Sequence, residues 1–149
     1  MNDNLRFKGS VRLLKTDVDG NTFVLFEDNN LIVNLGKGVI AARLTADGPR
    51  PTHIGVGTGN TAPAAEDTDL VTALGSRKAA TPGVTTTTVN GDTAVFTATF
   101  APGESTGTWQ EAGLFTAISG GALVARILTG AQSKGVLDTF SLIWNIQAL

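Results

Sequence analysis

The chain has 149 residues, of which 42% are hydrophobic and 16% are charged, so it fits one folded domain with a single core. It contains no cysteine, which excludes disulfides, thiolate catalysis and a cysteine-ligated zinc site. The formal net charge is −2 with scattered basic residues, and no apolar run approaches roughly 20 residues, so neither a nucleic-acid interface nor a membrane span is predicted. Eighteen glycines and no tyrosine, beside many threonines, favour short strands joined by tight turns.

The N-terminal third predicts an arm, a hairpin and a helix. Residues 1–8 are polar and predict an arm that is ordered only where it docks, ahead of one β-rich domain over residues 9–149. Apolar runs at 11–15 and 22–27 flank a turn-rich segment and predict a hairpin, and a short third strand is compatible with residues 31–34. Apolar residues at helical spacing predict one short helix near residues 35–45.

Local signals bound that helix and the segment after it. Asn34 is a suitable N-cap, and the glycine and prolines within residues 46–51 end the helix. A strand at 52–56 then leads into a loop of small residues. Asp67 or Thr68 could cap a single helical turn over residues 68–74, which Gly75 would end.

The second half of the chain predicts a meander of strands. Residues 84–89 and 93–101 are joined by Asn90-Gly91, the strongest short hairpin signal, and residues 109–117 turn at 119–121 into 123–128. Apolar and polar residues alternate most regularly over residues 138–147, which predicts the last strand. Two strands are expected to bury alternate residues, namely Ala94, Phe96, Ala98 and Phe100, and then Phe140, Leu142, Trp144 and Ile146. Thr93, Val95, Thr97 and Thr99 should face outward. Eight or so such strands predict a mainly β fold, an antiparallel β-sandwich or jelly-roll-like domain.

Two features resemble ligand sites but lack the rest of the chemistry. The glycines at 55, 57 and 59 could suggest a phosphate loop, but no lysine and no helix follow them as such a site requires. His53 is the chain's single histidine, and it has no companion at ligand spacing. We therefore expect a turn that lets two backbones approach, and a histidine at the surface or at an interface.

Acidic residues form two further candidates. Glu66, Asp67 and Asp69 could gather around calcium, and Asp17, Asp19 and Asn21 are spaced like the start of a calcium loop. The complete twelve-residue loop is absent, so turn-forming aspartates are the better interpretation and no metal is predicted.

Glu111 has two possible partners. With Glu104 it could form a glycosidase carboxylate pair. Glu111 and Arg126, however, are roughly symmetric about the turn at 119–121, so a hairpin would bring them together as a buried pair. We favour the second interpretation and predict no catalytic residue, no cofactor and no enzymatic activity.

The two tryptophans and the threonine-rich segments are candidate contact surfaces. Trp144 belongs to the buried face of its strand and is expected in the core, whereas Trp109 could contribute to an aromatic platform for a sugar. The threonines at 85–88 and 93–99 predict flat uncharged faces, which a partner is expected to cover.

Four segments, taken in order, resemble a domain of tailed-bacteriophage virion proteins. They are a glycine-rich loop, an EAGLF segment, an "L.AR" segment and a closing "W.I" strand, found here as Gly57-Thr-Gly-Asn-Thr-Ala-Pro-Ala-Ala-Glu-Asp-Thr-Asp-Leu70, Glu111-Ala-Gly-Leu-Phe115, Leu123-Val-Ala-Arg126 and Trp144-Asn-Ile146. The resemblance covers about two thirds of the chain.

The resemblance implies a structural role in the virion. The first expectation is a capsid decoration (cement) protein, made in the host cytoplasm, that forms homotrimers on the major capsid protein and stabilises the shell. The alternative is a tail fibre or baseplate protein that acts as a connector or a receptor-binding tip. A carbohydrate-binding module or a glycan-active enzyme is a third possibility from another class.

Overall fold

The computed structural model describes residues 6–149 and contains nine β-strands and one α-helix in that range. The elements are β1 (Phe7–Thr16), β2 (Thr22–Ile32), α1 (Asn34–Arg43), β3 (His53–Gly57), β4 (Lys78–Ala79), β5 (Thr81–Thr85), β6 (Thr93–Phe100), β7 (Gly107–Phe115), β8 (Leu123–Lys134) and β9 (Thr139–Ala148). The mainly β, antiparallel fold predicted from the sequence is confirmed.

The strands form one nearly closed antiparallel sheet with the order β4-β3-β7-β8-β2-β1-β9-β6-β5. Strand β2 connects its two halves: most of its length pairs with β1, but its last two residues, Leu31 and Ile32, pair with Arg126 and Ala125 of β8. A strand that changes partners in this way lets a sheet fold over on itself. The result is a sandwich-like domain whose two halves share one core.

Strand alternation builds that core as predicted. Phe140, Leu142, Trp144 and Ile146 of β9 are all buried, and so are Phe96, Ala98 and Phe100 of β6, while Ala94 is half-buried against them. Thr93 was expected to face outward and is buried instead, because its hydroxyl bonds to Asp92 and Thr87 beneath the β5–β6 loop.

Helix α1 lies directly on the backbone of β8. A Cβ atom at Gly36 would overlap the main-chain carbonyl of Val124, so this glycine permits the close approach. The predicted helix is confirmed, with a different start: Val33 is the N-cap and no side chain caps it. Asn34 is instead the first helical residue, and its main-chain N–H donates to the carbonyl of Ala65.

The first strands are longer than predicted. Of the expected arm, residues 1–5 lie outside the described residues, whereas Phe7 and Lys8 pair with Ala148 and Gln147 at the start of β1. The expected third strand near 31–34 is not separate, because Leu31 and Ile32 end β2.

The predicted helical turn at 68–74 is wrong. The N–H groups of Val71 and Thr72 donate to the Glu111 carboxylate, and that of Leu74 donates to the Val56 carbonyl on β3. These bonds hold the segment beside β3 without a helical turn, and Ala73 forms an isolated bridge with Gly57.

The predicted strand at 84–89 is also wrong in its bounds. Strand β5 covers only Thr81–Thr85, and residues 86–92 form a loop in place of a two-residue Asn-Gly turn. The carboxylate of Asp92 accepts the N–H groups of Thr87, Thr88 and Val89 at 2.9 to 3.0 Å. One aspartate therefore organises the loop, and these bonds, with those of Val89 and Thr87 foremost, lower the pKa of Asp92.

We expect the domain to lose stability in acid. Main-chain N–H bonds lower the pKa of Asp92 from 3.8, and the Lys78 ammonium lowers that of Glu104 from 4.5. A carboxylate with a lower pKa in the folded state stabilises the fold above its unfolded pKa, and this contribution is lost as the pH falls. The urea midpoint should therefore decrease once the pH falls below 4.5. The decrease should be smaller in Asp92→Asn, and a midpoint unchanged from pH 6 to pH 3 would contradict the prediction.

Candidate functional site: a buried ion pair beneath the glycine loop

The centre of the motif-bearing region is an ion pair between strands β7 and β8. Arg126 lies opposite Gly113 in the register, so Glu111 is its diagonal neighbour on the same face. Both side chains are fully buried; the Arg126 guanidinium donates from Nε to Glu111 Oε2 at 2.9 Å, and its Nη2 lies 2.7 Å from the same oxygen in the ion pair. The pairing predicted from the sequence is confirmed.

The same two side chains hold the loop between β3 and β4. Glu111 Oε1 accepts the N–H groups of Gly59 at 3.1 Å and Thr72 at 2.8 Å, and Oε2 accepts that of Val71 at 3.1 Å. A carboxylate that receives an arginine and three amides has its acceptor sites filled. Glu111 therefore has no free oxygen for a substrate or for a metal.

Arg126 completes the attachment from the other side of the loop. Its Nη1 donates to the Asp67 carboxylate at 2.9 Å, and its Nη2 donates to the carbonyl of Thr61 at 2.8 Å. The N–H of Ala64 and then Arg126 lower the pKa of Asp67. Asp67, predicted as a helix cap or as a possible metal ligand, instead connects the loop to Arg126.

The glycines of the loop are required by the ion pair. A Cβ atom at Gly57 would overlap the Thr72 carbonyl and lie 2.6 Å from Glu111 Oε1, and one at Gly59 would overlap the same carboxylate oxygen. The glycine-rich loop is therefore a close approach of two backbones over Glu111, as the sequence predicted, and its glycines face a carboxylate.

We expect Gly59→Ala to destabilise the domain by roughly 1–3 kcal/mol, the usual cost of forcing an extra group into a packed site. Gly38 of α1 is the control, because a Cβ atom there would meet nothing within 4 Å and a helix accepts alanine readily. Urea denaturation of the two alanine variants tests the difference. Equal free energies of unfolding would show that the space above Glu111 is not restricted.

Arg77 forms a second structural centre that the sequence does not predict. Its guanidinium lies over the Phe115 ring, 3.4 Å from the centroid, and Nη1 donates to the carbonyls of Ala117 and Gly120 at 3.0 and 2.7 Å. These contacts fix the β7–β8 turn. No local pattern marks Arg77, because these three partners lie about 40 residues further along the chain.

The other proposed site residues lie apart from the ion pair. Glu104 binds Lys78 Nζ at 2.7 Å and accepts the N–H of Ala101. Glu111 is fully buried with its acceptor sites filled, so it cannot act with Glu104 as a glycosidase pair. His53, at the start of β3, is half-buried and hydrogen-bonds the hydroxyl of Thr52.

Both tryptophans are in the core. Trp144 is buried as predicted. The interpretation of Trp109 as a sugar platform is wrong: it has no exposed surface, contacts Phe100 and Phe140 edge-to-face at 4.9 Å, and donates from Nε1 to the Ser105 carbonyl.

Three of the acidic residues proposed as calcium ligands, Asp17, Asp67 and Asp69, have structural partners. The Asp17 carboxylate accepts the N–H groups of Asp19 and Asn21 at 2.9 Å, which confirms a turn-forming role. Within residues 6–149, no three histidine or acidic side chains gather as a metal would require.

Comparison with protein-family models, with curated proteins and with solved structures yields no significant match. In the part of the chain that the structure describes, no helix combines the length and the apolar character needed to cross a lipid bilayer.

Proposed function

We propose that this chain is a structural protein of a tailed-bacteriophage virion, most specifically a capsid decoration protein that trimerises on the major capsid protein. The observation that supports the proposal is that the residues of the sequence motifs have structural roles. The contacts that hold the loop are made by four of these residues, Glu111, Arg126, Gly57 and Gly59. Motif residues that stabilise the fold and have no free reactive group are what we expect of a structural protein.

An uncharged edge supports self-association. Residues 79–91 contain no charged side chain, β5 is exposed along its length, and Val84 and Val89 are 74% and 67% exposed. Strand β5 pairs with β6 alone and ends the sheet. Exposed edges without charges are prone to pair with other chains, so this segment is the best place for contact between copies.

We expect the purified protein to have three times the 15.3 kDa mass of one chain in light scattering after gel filtration. Val84→Asp should lower that mass, because it places a charge at the proposed contact. Val136→Asp is the matched control, since Val136 is similarly exposed but lies in the β8–β9 loop. A monomeric wild-type protein, or dissociation by both variants alike, would contradict self-association through β5.

The location of the protein within the virion, head or tail, needs a second measurement. Quantitative mass spectrometry of purified particles should find hundreds of copies if the protein decorates the head. A few to a few dozen copies would favour the tail fibre or baseplate alternative. Cleavage of a polysaccharide by the isolated protein would overturn the structural role in either place.

A further inference from the structure

The chain's single Asn-Gly sequence, Asn90-Gly91, lies at the tip of the loop between β5 and β6. Both residues are exposed, and the N–H of Asp92 donates to the Val89 carbonyl at 3.0 Å, which closes a turn around them. A Cβ atom at Gly91 would meet only Val84 Cγ1, at 3.8 Å. Gly91 therefore lies in open space, and its own lack of a side chain leaves its main-chain nitrogen accessible.

The hydroxyl of Thr86 bridges two groups of this pair. The Gly91 main-chain N–H donates to Thr86 Oγ1 at 3.2 Å, and the same hydroxyl donates to Asn90 Oδ1 at 3.3 Å. A hydroxyl accepts and donates at once, so it can take the proton of the Gly91 nitrogen and give its own proton to Oδ1. Such bonds are often long in the resting site and tighten during the reaction.

We propose that Asn90 deamidates by a self-catalysed reaction in which the Thr86 hydroxyl transfers the proton. The Gly91 nitrogen bonds to Asn90 Cγ, while its proton passes to Thr86 Oγ1 and the hydroxyl proton passes to Asn90 Oδ1. The proton on Oδ1 then moves to Nδ2, the Cγ–Nδ2 bond breaks and ammonia leaves. Water opens the resulting succinimide ring at either carbonyl and leaves aspartate or isoaspartate at position 90. The reaction consumes water alone and changes no oxidation state.

Ageing of the folded protein at mildly alkaline pH, followed by peptide mass spectrometry, tests the proposal. The peptide that contains Asn90 should change from amide to acid. The peptide that contains Asn60, which is exposed but followed by Thr61, should not change over the same time. An Asn90 that reacts no faster than Asn60 would overturn the proposal.

Two variants of Thr86 test the proton transfer. Thr86→Val keeps the shape of the side chain and removes the hydroxyl, so it should slow the reaction about tenfold or more. Thr86→Ser keeps the hydroxyl and should react at close to the wild-type rate. In urea, where the fold no longer holds Thr86 against the pair, all three proteins should react at one rate. If folded Thr86→Val reacts as fast as the wild type or faster, the hydroxyl restrains the loop and the proposal fails.

The product carries a negative charge within residues 79–91, which otherwise contain no charged side chain. The effect of this charge on assembly rests on the proposed self-association through β5. Light scattering should show that aged wild-type protein dissociates more readily than equally aged Thr86→Val, and equal masses would contradict this effect. A fresh wild-type protein that is already monomeric would contradict the proposed self-association itself, whereas mass spectrometry alone decides the chemistry at Asn90.

Discussion

Removing the carboxylate of Glu111 should destabilise this domain more than any other change at a charged residue. Glu111→Ala leaves Arg126 buried without its main partner, and breaking a buried pair from one side typically costs about 3–5 kcal/mol. The same substitution orphans the N–H groups of Gly59, Val71 and Thr72. A typical domain has only about 5–15 kcal/mol of stability in total, so the urea midpoint should fall by a large fraction.

Two variants make this expectation specific. Glu111→Gln keeps an oxygen that can accept from Gly59 and Thr72 but loses the charge opposite Arg126, so it should lie between the wild type and Glu111→Ala. Glu104→Ala removes the ion pair with Lys78, whose side chains are 41% and 38% exposed, and exposed pairs contribute little. If Glu104→Ala and Glu111→Ala shift the midpoint equally, the buried pair is not what holds the loop.

Amide exchange within the loop should show the loss of the Glu111 carboxylate directly. Amide hydrogen exchange measures local opening, and among residues 6–149 Glu111 is the only hydrogen-bond acceptor for the N–H groups of Val71 and Thr72. They should exchange much faster in Glu111→Gln than amides of β9, such as that of Leu142, if the carboxylate holds this segment. Uniform acceleration across the chain would instead indicate global destabilisation.

Local periodicity and hairpin symmetry predicted the parts of this fold that depend on them. The alternation of Phe140, Leu142 and Trp144 fixed the buried face of β9, because side chains in a strand alternate between faces. The proximity of Glu111 and Arg126 followed from their position about a glycine turn. Neither prediction required knowledge of distant parts of the chain.

Two of the predictions that failed were decided by side-chain carboxylates, one distant in sequence and one nearby. Residues 68–74 have suitable caps for a helical turn, but their amides bind Glu111, which is 39 and 40 residues away in sequence. Asn90-Gly91 indicated a tight hairpin, yet the Asp92 carboxylate gathers three amides and lengthens the loop. In both segments a carboxylate binds main-chain N–H groups that the predicted helical turn or hairpin would otherwise have used.

Trp109 should prove essential to the core and irrelevant to any glycan. Its indole fills the space between Phe100 and Phe140, and its Nε1 binds the Ser105 carbonyl at 2.7 Å. Trp109→Ala should therefore lower the free energy of unfolding by about 3–5 kcal/mol, as for other large aromatic residues removed from cores. Phe23→Ala is the control, because Phe23 is 50% exposed and should cost much less.

Fluorescence distinguishes this core position from a binding platform without any mutation. Trp109 and Trp144 are both fully buried, and they are the only two tryptophans. The native emission should be blue-shifted and resist iodide quenching, and unfolding in urea should remove both properties. A native tryptophan that iodide quenches freely would place one indole at the surface, and only then would a sugar-binding role for Trp109 regain a physical basis.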